Sequence, residues 1–476
     1  MKSTLEREIK LQAPPGFSLP QFPGTPIGPR RFTSTYLDTE DFRLAGAGIT
    51  LRRRVENRRG LWQLKLPRGN ARMELEERGG PLRPPPAFAK LLIAPLMGHP
   101  LKVVAKLRTL RTGTTVMDGD RRVAEVVFDS VQVLQGITVV NRFSEIEVEL
   151  LDGTEEDLRQ LGSALRSLGS FTGDERPKLY QALDIVVAHP DPENKPVSEL
   201  AQIQGTIAEQ FRLLLRHDPG TRLGDDPEDL HQHRVGIRKL RSLLGSARML
   251  EPEWSAGLRA ELEWIGDLMN PVRDLDVMVP YLRADMALLD PAEAAVVERF
   301  IAGLGTEREA ARKKMLEGLE SDRYLDLLRT LEAATVSLVV RPAEDDLQSG
   351  AARRFRKMRK SAKNLSSPPE DEDLHRVRRL AKKARYTADL VKPTGGKKVA
   401  KYLADIKQVQ EVLGDFQDSV VAEDRIKAFL PEARTPQESF VLGRMAELQS
   451  SKKRRVGTDF PAAWRKVNKS GKRAWS

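Results

Sequence analysis

The sequence contains no cysteine, few aromatic residues and no long apolar run. Without cysteine the chain has no disulfide scaffold, no thiolate nucleophile and no thiolate metal site. Aromatic residues make up 5% of the chain, which disfavours readers of single-stranded nucleic acid, since these interleave aromatic with basic side chains. No apolar run approaches the roughly 20 residues of a membrane span, and the start, MKSTLEREIKLQ, lacks the apolar core of a signal peptide. We therefore expect a soluble, cytoplasmic protein without a membrane partner.

The chain does contain enough apolar residues for real cores, together with an excess of positive charge. With 476 residues and 40% hydrophobic content, it has room for two or three domains. Lysine and arginine number 79 against 68 aspartates and glutamates, a formal net charge of +11. This excess favours a partner with distributed negative charge, either nucleic acid or another phosphate polymer. Net charge alone fits simple solubility equally well, because both parts of the chain share the excess.

The first 190 residues alternate between apolar and charged side chains with period two, which indicates strands with one charged face. Residues two apart on a strand share a face. Five segments show charges in this spacing: Glu6, Glu8 and Lys10; Arg52 and Arg54; Glu74 and Glu76; Glu125 and Asp129; and Glu145, Glu147 and Glu149. The segment Ala13–Pro29 is rich in proline and glycine and predicts an irregular loop.

Near residue 190 the composition changes. Residues 189–196, HPDPENKP, are polar and rich in proline, which is typical of a linker. Beyond them the patterns are long and helical. We therefore predict an α+β multidomain chain, with an N-terminal antiparallel β-barrel at 1–188 and an all-α domain at 197–470. The all-α domain is predicted to consist of two repeated helical bundles, at about 197–340 and 350–470.

The repeat is visible in two basic motifs. Each motif has one histidine followed by basic residues at offsets of 3, 7 and 10. The motifs are His231, Arg234, Arg238 and Arg241 and, 144 residues later, His375, Arg378, Lys382 and Arg385. The segments Met269–Asp274 and Leu413–Asp418 are related by the same shift. Like charges at i,i+3 and i,i+4 weaken a helix slightly, so their occurrence in both copies favours an anionic ligand over a merely solvated face.

The charged strand faces predict a charged lumen. One strand with a charged face usually turns that face to water. Here some strands carry carboxylates and others carry arginine or lysine, and an antiparallel sheet can close so that these faces line its interior. Carboxylates would hold a hard divalent cation, while basic side chains would bind phosphate oxygens. A lumen with both signs therefore predicts a ligand that contains metal and phosphate.

The segment Glu6–Lys10 fits the ExExK signature of the CYTH, or triphosphate tunnel metalloenzyme, family. Further landmarks follow in the order of that family and cover nearly all of residues 1–185. They are Tyr36–Thr39, Leu51–Arg54, Trp62–Lys65, Arg108 to Arg111, Phe128–Asp129, Glu145–Leu150 and Arg176–Lys178. The first part of the chain thus resembles a CYTH domain, which implies a tunnel that hydrolyses a triphosphate with Mg²⁺ or Mn²⁺. The segment Ala13–Pro29 departs from relatives that carry a helix there.

The resemblance also implies roles for single residues. The implied metal ligands are Glu6, Glu8, Glu147 and Glu149, with Asp129 and Glu76 as further candidates. The implied phosphate-binding residues are Lys10, Arg52, Arg54, Lys65, Arg111 and Lys178. Arg108 is kept as an additional candidate, although it cannot share a strand face with Arg111, three residues away. Glu6, Glu8 and Lys10 are the predicted catalytic residues.

The helical part resembles the CHAD domain, a conserved-histidine helical domain often joined to CYTH domains and associated with polyphosphate. The likeness spans about residues 196–465, although Asn270 stands where the family usually has glycine. It implies a polyphosphate site formed by His231, Arg234, Arg238, Arg241, His375, Arg378, Arg379, Lys382 and Arg385. Two single histidines among arginines make a poor cation site. We expect them to donate hydrogen bonds to phosphate, partly protonated near the polyanion.

These resemblances predict an inorganic triphosphatase whose tunnel hydrolyses tripolyphosphate and whose helical domain binds long-chain polyphosphate. An association with polyphosphate granules would follow from the second property. Alternatives within the same family are a hydrolase of thiamine triphosphate or ATP, or an adenylate cyclase. Few aromatic residues are placed to stack a base or a thiazole, which favours the inorganic substrate. An alternative of another class is a non-catalytic protein that binds polyphosphate or nucleic acid, with nucleic acid disfavoured by the lack of interleaved aromatics.

Overall fold

The structure is a computed structural model of the chain. It describes residues 1–14, 16–69, 71–81, 83–169, 176–185, 198–341, 346–367 and 369–475. The chain divides into two compact units, Met1–Pro190 with Asp218–Leu223, and Asp191–His217 with Gly224–Ser476. We call them the strand unit and the helical unit. The predicted linker at 189–196 lies outside the described residues.

The strand unit contains nine strands and, in its described part before residue 190, five short helices. The strands are β1 (Lys2–Glu6), β2 (Glu8–Gln12), β3 (Gly24–Asp38), β4 (Thr50–Glu56), β5 (Arg59–Arg68), β6 (Ala71–Arg78), β7 (Lys102–Asp118), β8 (Arg121–Gln135) and β9 (Thr138–Leu150). The helices are α1 (Arg43–Gly46), α2 (Pro86–Leu91), α3 (Ile93–Leu96), α4 (Glu155–Ser167) and α5 (Lys178–Leu183).

All neighbouring strands pair antiparallel, in the order β1-β6-β5-β4-β3-β7-β8-β9-β2. β1 and β2 lie at the two ends of this order, although only Arg7 separates them in the chain. The two edges of the sheet therefore meet at Arg7, whose carbonyl oxygen accepts a hydrogen bond from the N–H of Leu150 at 2.9 Å. The sheet is curled around a lumen, and the predicted antiparallel β-barrel is confirmed.

Two apolar clusters fix the wall of this lumen. On the outer face of β2, β8 and β9, buried side chains such as Leu11 and Val148 pack against Leu158 and Leu165 of α4. A second cluster joins α5 to side chains of β3, β7 and β8. Because α5 packs there, Lys178 at its first turn is brought to the wall of the lumen.

The structure corrects the prediction for Ala13–Pro29. This segment is only partly irregular, because β3 begins at Gly24 and runs through Pro26 and Pro29. The register between β3 and β7 shifts between Ile27 and Arg30. A bulge there explains how the strand tolerates Pro29, which has no N–H to donate to the neighbouring strand.

The helical unit is built from long helices. They are α6 (Glu199–Leu223), α7 (Pro227–Leu244), α8 (Pro252–Met286), α9 (Pro291–Leu319), α10 (Asp322–Val336), α11 (Leu347–Lys363), α12 (Asp371–Leu390), α13 (Lys392–Phe429) and α14 (Pro436–Ala474), with a 3₁₀ turn at Leu430–Glu432. Gly396 interrupts α13 with φ 59°, a region that glycine adopts readily. No helix in the described part of the chain combines the length and apolar composition needed to cross a membrane.

The repeat predicted from the sequence corresponds to matching helices. α7 and α12 carry the two histidine motifs, and α8 and α13 carry the segments 269–274 and 413–418. A buried apolar cluster joins α8, α9, α13 and α14, with Leu282, Phe300, Ile426 and Val441 among its members. The matching helices therefore belong to packed bundles, and the predicted helical architecture is confirmed.

Candidate functional sites

The lumen of the strand unit contains a cavity of about 330 Å³, which we call the strand cavity. Its lining is almost entirely charged or polar. The predicted residues that line it are Glu6, Glu8, Lys10, Arg52, Arg54, Lys65, Glu76, Arg111, Glu147, Glu149 and Lys178. The pleat explains this convergence, since cross-strand partners point to the same side of a sheet. Glu8 lies opposite Glu149, and Lys65 lies opposite Glu74.

One side of the strand cavity is rich in carboxylates that lack sufficient positive charge. The carboxyl groups of Glu6 and Glu74 are neighbours, and the ammonium of Lys65 lies 2.6 Å from Glu6 and 3.8 Å from Glu74. Burial, only partly offset by Lys65, raises the pKa of Glu6. Burial and the charges of Glu6 and Glu8 raise the pKa of Glu149 to about 7. A cation would replace the proton and relieve this repulsion.

These carboxylates fit a divalent metal ion. Hard cations such as Mg²⁺ and Mn²⁺ are bound by carboxylate oxygens. Glu6, Glu8 and Glu149 supply such oxygens from β1, β2 and β9. The ammonium of Lys65 lies 2.6 Å from Oε2 of Glu6, and it is the main positive charge at this side of the strand cavity.

The other side of the strand cavity has an excess of guanidinium groups. Burial and the charges of Arg52 and Arg111 lower the pKa of Arg54, although Glu56 acts in the opposite direction. Hydrogen bonds from Arg30 and Arg54 lower the pKa of Glu56 to about 2, so this carboxylate stays charged. Arg30 and Arg54 share Glu56, so Arg54 is the arginine of this side whose charge is least compensated. A phosphate chain would supply the missing negative charge.

A third group of charges lies deeper and is already balanced. The ammonium of Lys178 lies 2.9 Å from Asp129 and 2.8 Å from Glu147, and it also contacts Glu145. Arg111 donates to both oxygens of Asp129, at 2.8 and 2.7 Å. The charges of Lys178 and Arg111 outweigh the effect of burial and lower the pKa of Glu147 well below its ordinary value.

The acidic cluster Asp129, Glu145 and Glu147 has a spacing that could hold a metal ion. A cation there would have to displace the ammonium of Lys178, which already occupies the space between the three carboxylates. Of the predicted metal ligands, Glu6, Glu8 and Glu149 line the strand cavity outside this cluster.

Two predicted residues do not reach the strand cavity. Arg108 lies on the outer face of β7 and is exposed, because residues of the other parity, such as Thr109 and Arg111, face inwards. Asp129 is fully buried behind the cavity wall, where Arg111 and Lys178 bind its carboxylate. Arg108 therefore lies away from the strand cavity, while Asp129 belongs to the acidic cluster that could hold a metal ion, and both roles stay predictions.

Sequence reasoning also left several lining residues without a role. They are Lys2, Arg30, Phe32, Tyr36, Thr50, Gln63, Arg72, Glu74, Glu125 and Pro177. The period-two pattern already placed Glu74 on the face of Glu76 and Glu125 on the face of Asp129, so that signal was present. Tyr36 and Gln63 both bind Arg52, at 3.1 and 2.8 Å, and fix its guanidinium. Neutral partners of this kind leave no charge pattern in a sequence.

The helical unit contains a second site, a cavity of about 500 Å³ that we call the helix pocket. Both histidine motifs line it, from α7 and α12. The predicted residues present are His231, Arg234, Arg238, His375, Arg378, Lys382 and Arg385. Arg241 and Arg379 do not line it. Arg241 instead binds Glu263 of α8, and Arg379 is exposed.

The two copies contribute unequally to the helix pocket. Nη2 of Arg234 donates to Oδ1 of Asn270 at 2.5 Å. Arg378 matches Arg234 in the repeat, and Gly414 matches Asn270 without offering a side-chain acceptor. Nε of Arg378 is buried and has no hydrogen-bond partner among the described residues. The second copy therefore has the donor that is more available to a ligand.

The charges of the helix pocket are not balanced. Burial and the charges of Arg378 and Arg238 lower the pKa of Lys382 to about 8. Burial is also the main reason that the pKa of Arg234 falls to about 10, because Asp274, 3.9 Å away, offsets only part of it. These shifts show that the pocket favours the entry of negative charge.

The two histidines of the helix pocket have different neighbours. Burial and the charge of Arg273 lower the pKa of His231. Nδ1 of His375 forms a hydrogen bond with Oε1 of Gln417. Gln417 occupies the position that Arg273 has in the first copy. A neutral imidazole has one N–H to donate, and that of His375 is directed from Nδ1 to the side-chain carbonyl oxygen of Gln417.

Comparisons with known proteins place both units in families. Residues 4–180 match the CYTH domain and residues 205–427 match the CHAD domain. An uncharacterized protein of Mycobacterium tuberculosis, Rv2226, is 28% identical over 481 residues, which covers 94% of this chain and 91% of that protein.

Two solved structures resemble parts of the chain. PptA from Streptomyces chartreusis is 18% identical with a TM-score of 0.48, and the match covers 56% of this chain and 99% of PptA. The CHAD domain from the plant Ricinus communis is 21% identical with a TM-score of 0.46, covering 59% of this chain and 95% of that domain. The two domain matches carry the assignment: the chain is a protein in which a CYTH domain is followed by a CHAD domain.

Proposed function

We propose that the strand unit binds inorganic triphosphate together with Mg²⁺ or Mn²⁺ and hydrolyses a phosphoric anhydride bond. The observation that carries this proposal is the polarity of the strand cavity. Burial and neighbouring carboxylates raise the pKa values of Glu6 and Glu149, although Lys65 contacts Glu6. Across the cavity, burial and neighbouring arginines lower the pKa of Arg54. Membership of the CYTH family, which contains triphosphatases and cyclases, supports a triphosphate as the ligand.

Different side chains of the strand cavity would bind the metal ion and the phosphate oxygens. A divalent cation held by Glu6, Glu8 and Glu149 would neutralise negative charge on phosphate oxygens when bound. Arg52 and Arg54 would bind phosphate oxygens through N–H groups that Tyr36 and Glu56 already orient. Donors that are fixed before the substrate arrives need no reorganisation during the reaction, which is why they lower a barrier effectively.

Lys10 lies between the two kinds of charge. Its ammonium is 3.4 Å from Glu8 and 3.5 Å from Glu147. Although burial opposes it, the charges of these carboxylates raise the pKa of Lys10, so the side chain stays protonated. A fixed positive charge at this place would bind a phosphate oxygen without taking part in proton transfer.

An inorganic substrate is supported by the aromatic residues of the strand cavity. The lining aromatics Phe32 and Tyr36 both have guanidinium groups over their rings. Cζ of Arg54 lies 3.7 Å from the centroid of Phe32. A base or thiazole would need such a face for stacking. A cavity of about 330 Å³ is also at the small end for ligand sites.

A panel of substrates tests the proposal. We would measure phosphate release from tripolyphosphate, pyrophosphate, long-chain polyphosphate, ATP and thiamine triphosphate, each with Mg²⁺ or Mn²⁺. The proposal expects the highest kcat/KM for tripolyphosphate and none without a divalent ion. A higher kcat/KM for ATP or thiamine triphosphate would establish the organic alternative. Release from none of them would establish a non-catalytic protein.

For the helical unit, the unbalanced charge of the helix pocket supports the binding of long-chain polyphosphate. Lys382, with its pKa lowered to about 8, and the unpartnered Nε of Arg378 would both gain from a phosphate oxygen. Of the lining residues, only Tyr281 and Tyr386 are aromatic, and the hydroxyl of Tyr386 accepts from Arg238 at 3.0 Å. The pocket therefore lacks the interleaved aromatic faces that single-stranded nucleic acid requires.

Competition binding tests this second function. Long-chain polyphosphate should displace a labelled chain of its own kind at moderate salt, while single-stranded DNA and RNA at equal phosphate concentration should displace little. Equal displacement by all three polymers would mean that the helical unit binds polyanions without a defined site.

A further inference from the structure

A third cavity, of about 290 Å³, lies in the helical unit and shares no lining residue with the helix pocket. We call it the second basic cavity. It lies where the end of α7 meets the start of α11, and its lining residues are Gly245, Ser246, Arg248, Gly350, Arg353, Arg354 and Lys357. Arg353, Arg354 and Lys357 lie on α11, within the basic segment 353–363. From the sequence alone, such a segment would be interpreted as a helix face exposed to water.

The structure adds charges from two other helices to this place. A Cβ on Gly245 would lie 3.4 Å from the guanidinium of Arg259, so this α8 side chain lies beside a lining residue of the cavity. Lys383 of α12 is also close. Burial is the main cause of the lowering of its pKa, and the charges of Arg354 and Lys357 add to this effect. Burial and the charges of Arg259 and Arg353 likewise lower the pKa of Arg354.

The second basic cavity has donors but no lining carboxylate among the residues that the structure describes. Nη2 of Arg354 donates to the carbonyl oxygen of Gly245 at 3.2 Å, which fixes the guanidinium at the end of α7. Gly350 belongs to the first turn of α11, whose N–H groups are already bound by carboxylates, since Leu347 donates to Glu199 and Ser349 donates to Asp346. The positive charge of the second basic cavity therefore comes from its arginine and lysine side chains.

The internal repeat does not account for this cluster. A shift of 144 residues places Glu209, Gln210 and Leu213 opposite Arg353, Arg354 and Lys357. The second basic cavity is therefore not a second copy of the helix pocket. It is nevertheless near the helix pocket, because Lys382 lines that pocket and Lys383 follows it on α12. Consecutive residues of a helix lie on neighbouring faces.

We propose that the second basic cavity is a second phosphate-binding site, which takes a neighbouring segment of the same polyphosphate chain that occupies the helix pocket. The inference rests on the proposed function of the helical unit and deepens it. Two linked sites on one polymer make the second contact intramolecular, so they raise affinity for a chain that spans both. The helical unit then prefers long chains to short ones.

The test uses the full chain in EDTA, which prevents metal-dependent turnover, and end-labelled long-chain polyphosphate in fluorescence anisotropy. Three triple variants remove three positive charges each. The first changes the second basic cavity, Arg259→Ala, Arg354→Ala and Lys357→Ala. The second changes the helix pocket, Arg234→Ala, Arg378→Ala and Lys382→Ala. The control changes exposed residues of the same basic run, Arg356→Ala, Lys360→Ala and Lys363→Ala.

The proposal expects the first variant to bind at least about tenfold more weakly than the wild type, with a shallower dependence of log Kd on log salt. The control should lose less than about threefold. Helical circular dichroism and residual binding above that of the second variant would show that the first variant is folded.

Equal losses in the first variant and the control, with a larger loss in the second, would overturn the second site and leave the helix pocket in place. Equal losses in all three variants would overturn the defined polyphosphate site itself. The two failures are therefore distinguishable.

Discussion

The strand cavity and the helix pocket are both lined by charged residues. They differ in which of these charges, negative or positive, lacks enough partners of opposite sign. In the strand cavity, the pKa values of Glu6 and Glu149 are raised, mainly by burial, while that of Arg54 is lowered by burial and neighbouring arginines. In the helix pocket, the shifted groups are mainly cations, with Lys382 as the clearest case. The first site therefore fits a cation and an anion together, and the second fits an anion alone.

This difference explains why one site would catalyse a reaction and the other would only bind. Hydrolysis of a phosphoric anhydride gains from a metal ion that neutralises charge as the bond breaks. The helix pocket does contain Asp274 and Asp418, but each lies 3.9 Å from an arginine and serves as its partner. Binding a polymer requires the positive charge and no metal.

The largest expected effect comes from the carboxylates of the strand cavity. Glu6→Gln or Glu8→Gln removes a metal-binding charge at nearly constant shape, so we expect turnover of tripolyphosphate to fall by about two orders of magnitude or more. Long-chain polyphosphate binding in EDTA should stay unchanged. Glu40→Gln, at a side chain that is 84% exposed, is the matched control. Near-normal release by both variants at saturating Mg²⁺ and Mn²⁺ would contradict the assignment of the strand cavity.

A smaller effect separates two arginines of the strand unit. Arg54→Ala removes a charge-assisted phosphate contact of about 1.5–3 kcal/mol, so kcat/KM should fall by about 10- to 100-fold. Arg108→Ala, on the outer face of β7, should change kcat/KM by less than about twofold, as surface substitutions do. Steady-state kinetics with tripolyphosphate measures both. A loss at Arg108 equal to that at Arg54 would restore Arg108 as a phosphate ligand.

The smallest predicted effect is a pair of opposite pH dependences. Glu149 is protonated below about pH 7, so Mn²⁺ affinity should rise as the pH increases through that value. Lys382 loses its charge above about pH 8 in the free protein, so polyphosphate affinity should fall as the pH rises beyond it. One proton gives at most about a tenfold change per pH unit. Calorimetric titration of Mn²⁺ and of polyphosphate over this pH range measures how each affinity changes with pH. Slopes of the same sign would contradict the difference in charge between the strand cavity and the helix pocket.

The sequence predicts the strand cavity well where the signal is local. Period-two spacing is enough to place Glu6, Glu8 and Lys10 on one face, and the same rule separates Arg108 from Arg111. In contrast, the partners that neutralise a charged side chain can come from segments that are distant in the sequence. Lys178 comes from α5 and meets carboxylates of β8 and β9, so its neutralisation by Asp129, Glu145 and Glu147 depends on packing between distant segments.

The helical unit shows the same limit. The 144-residue shift predicts that His231 and His375 belong to equivalent helices, and the structure brings both to one pocket. The shift cannot predict that Asn270 binds Arg234 while Arg378 keeps a buried donor without a partner. It also cannot reveal the second basic cavity, because Arg259 and Arg354 are far apart in sequence and their counterparts in the repeat, Leu403 and Gln210, are not basic.

The most direct test of the polarity of the strand cavity is a crystal structure with Mn²⁺ and a non-hydrolysable imido analogue of triphosphate. We expect an anomalous manganese peak bound by Glu6, Glu8 and Glu149, with phosphate oxygens on Arg52 and Arg54. A manganese peak between Asp129, Glu145 and Glu147, with Lys178 displaced, would contradict it.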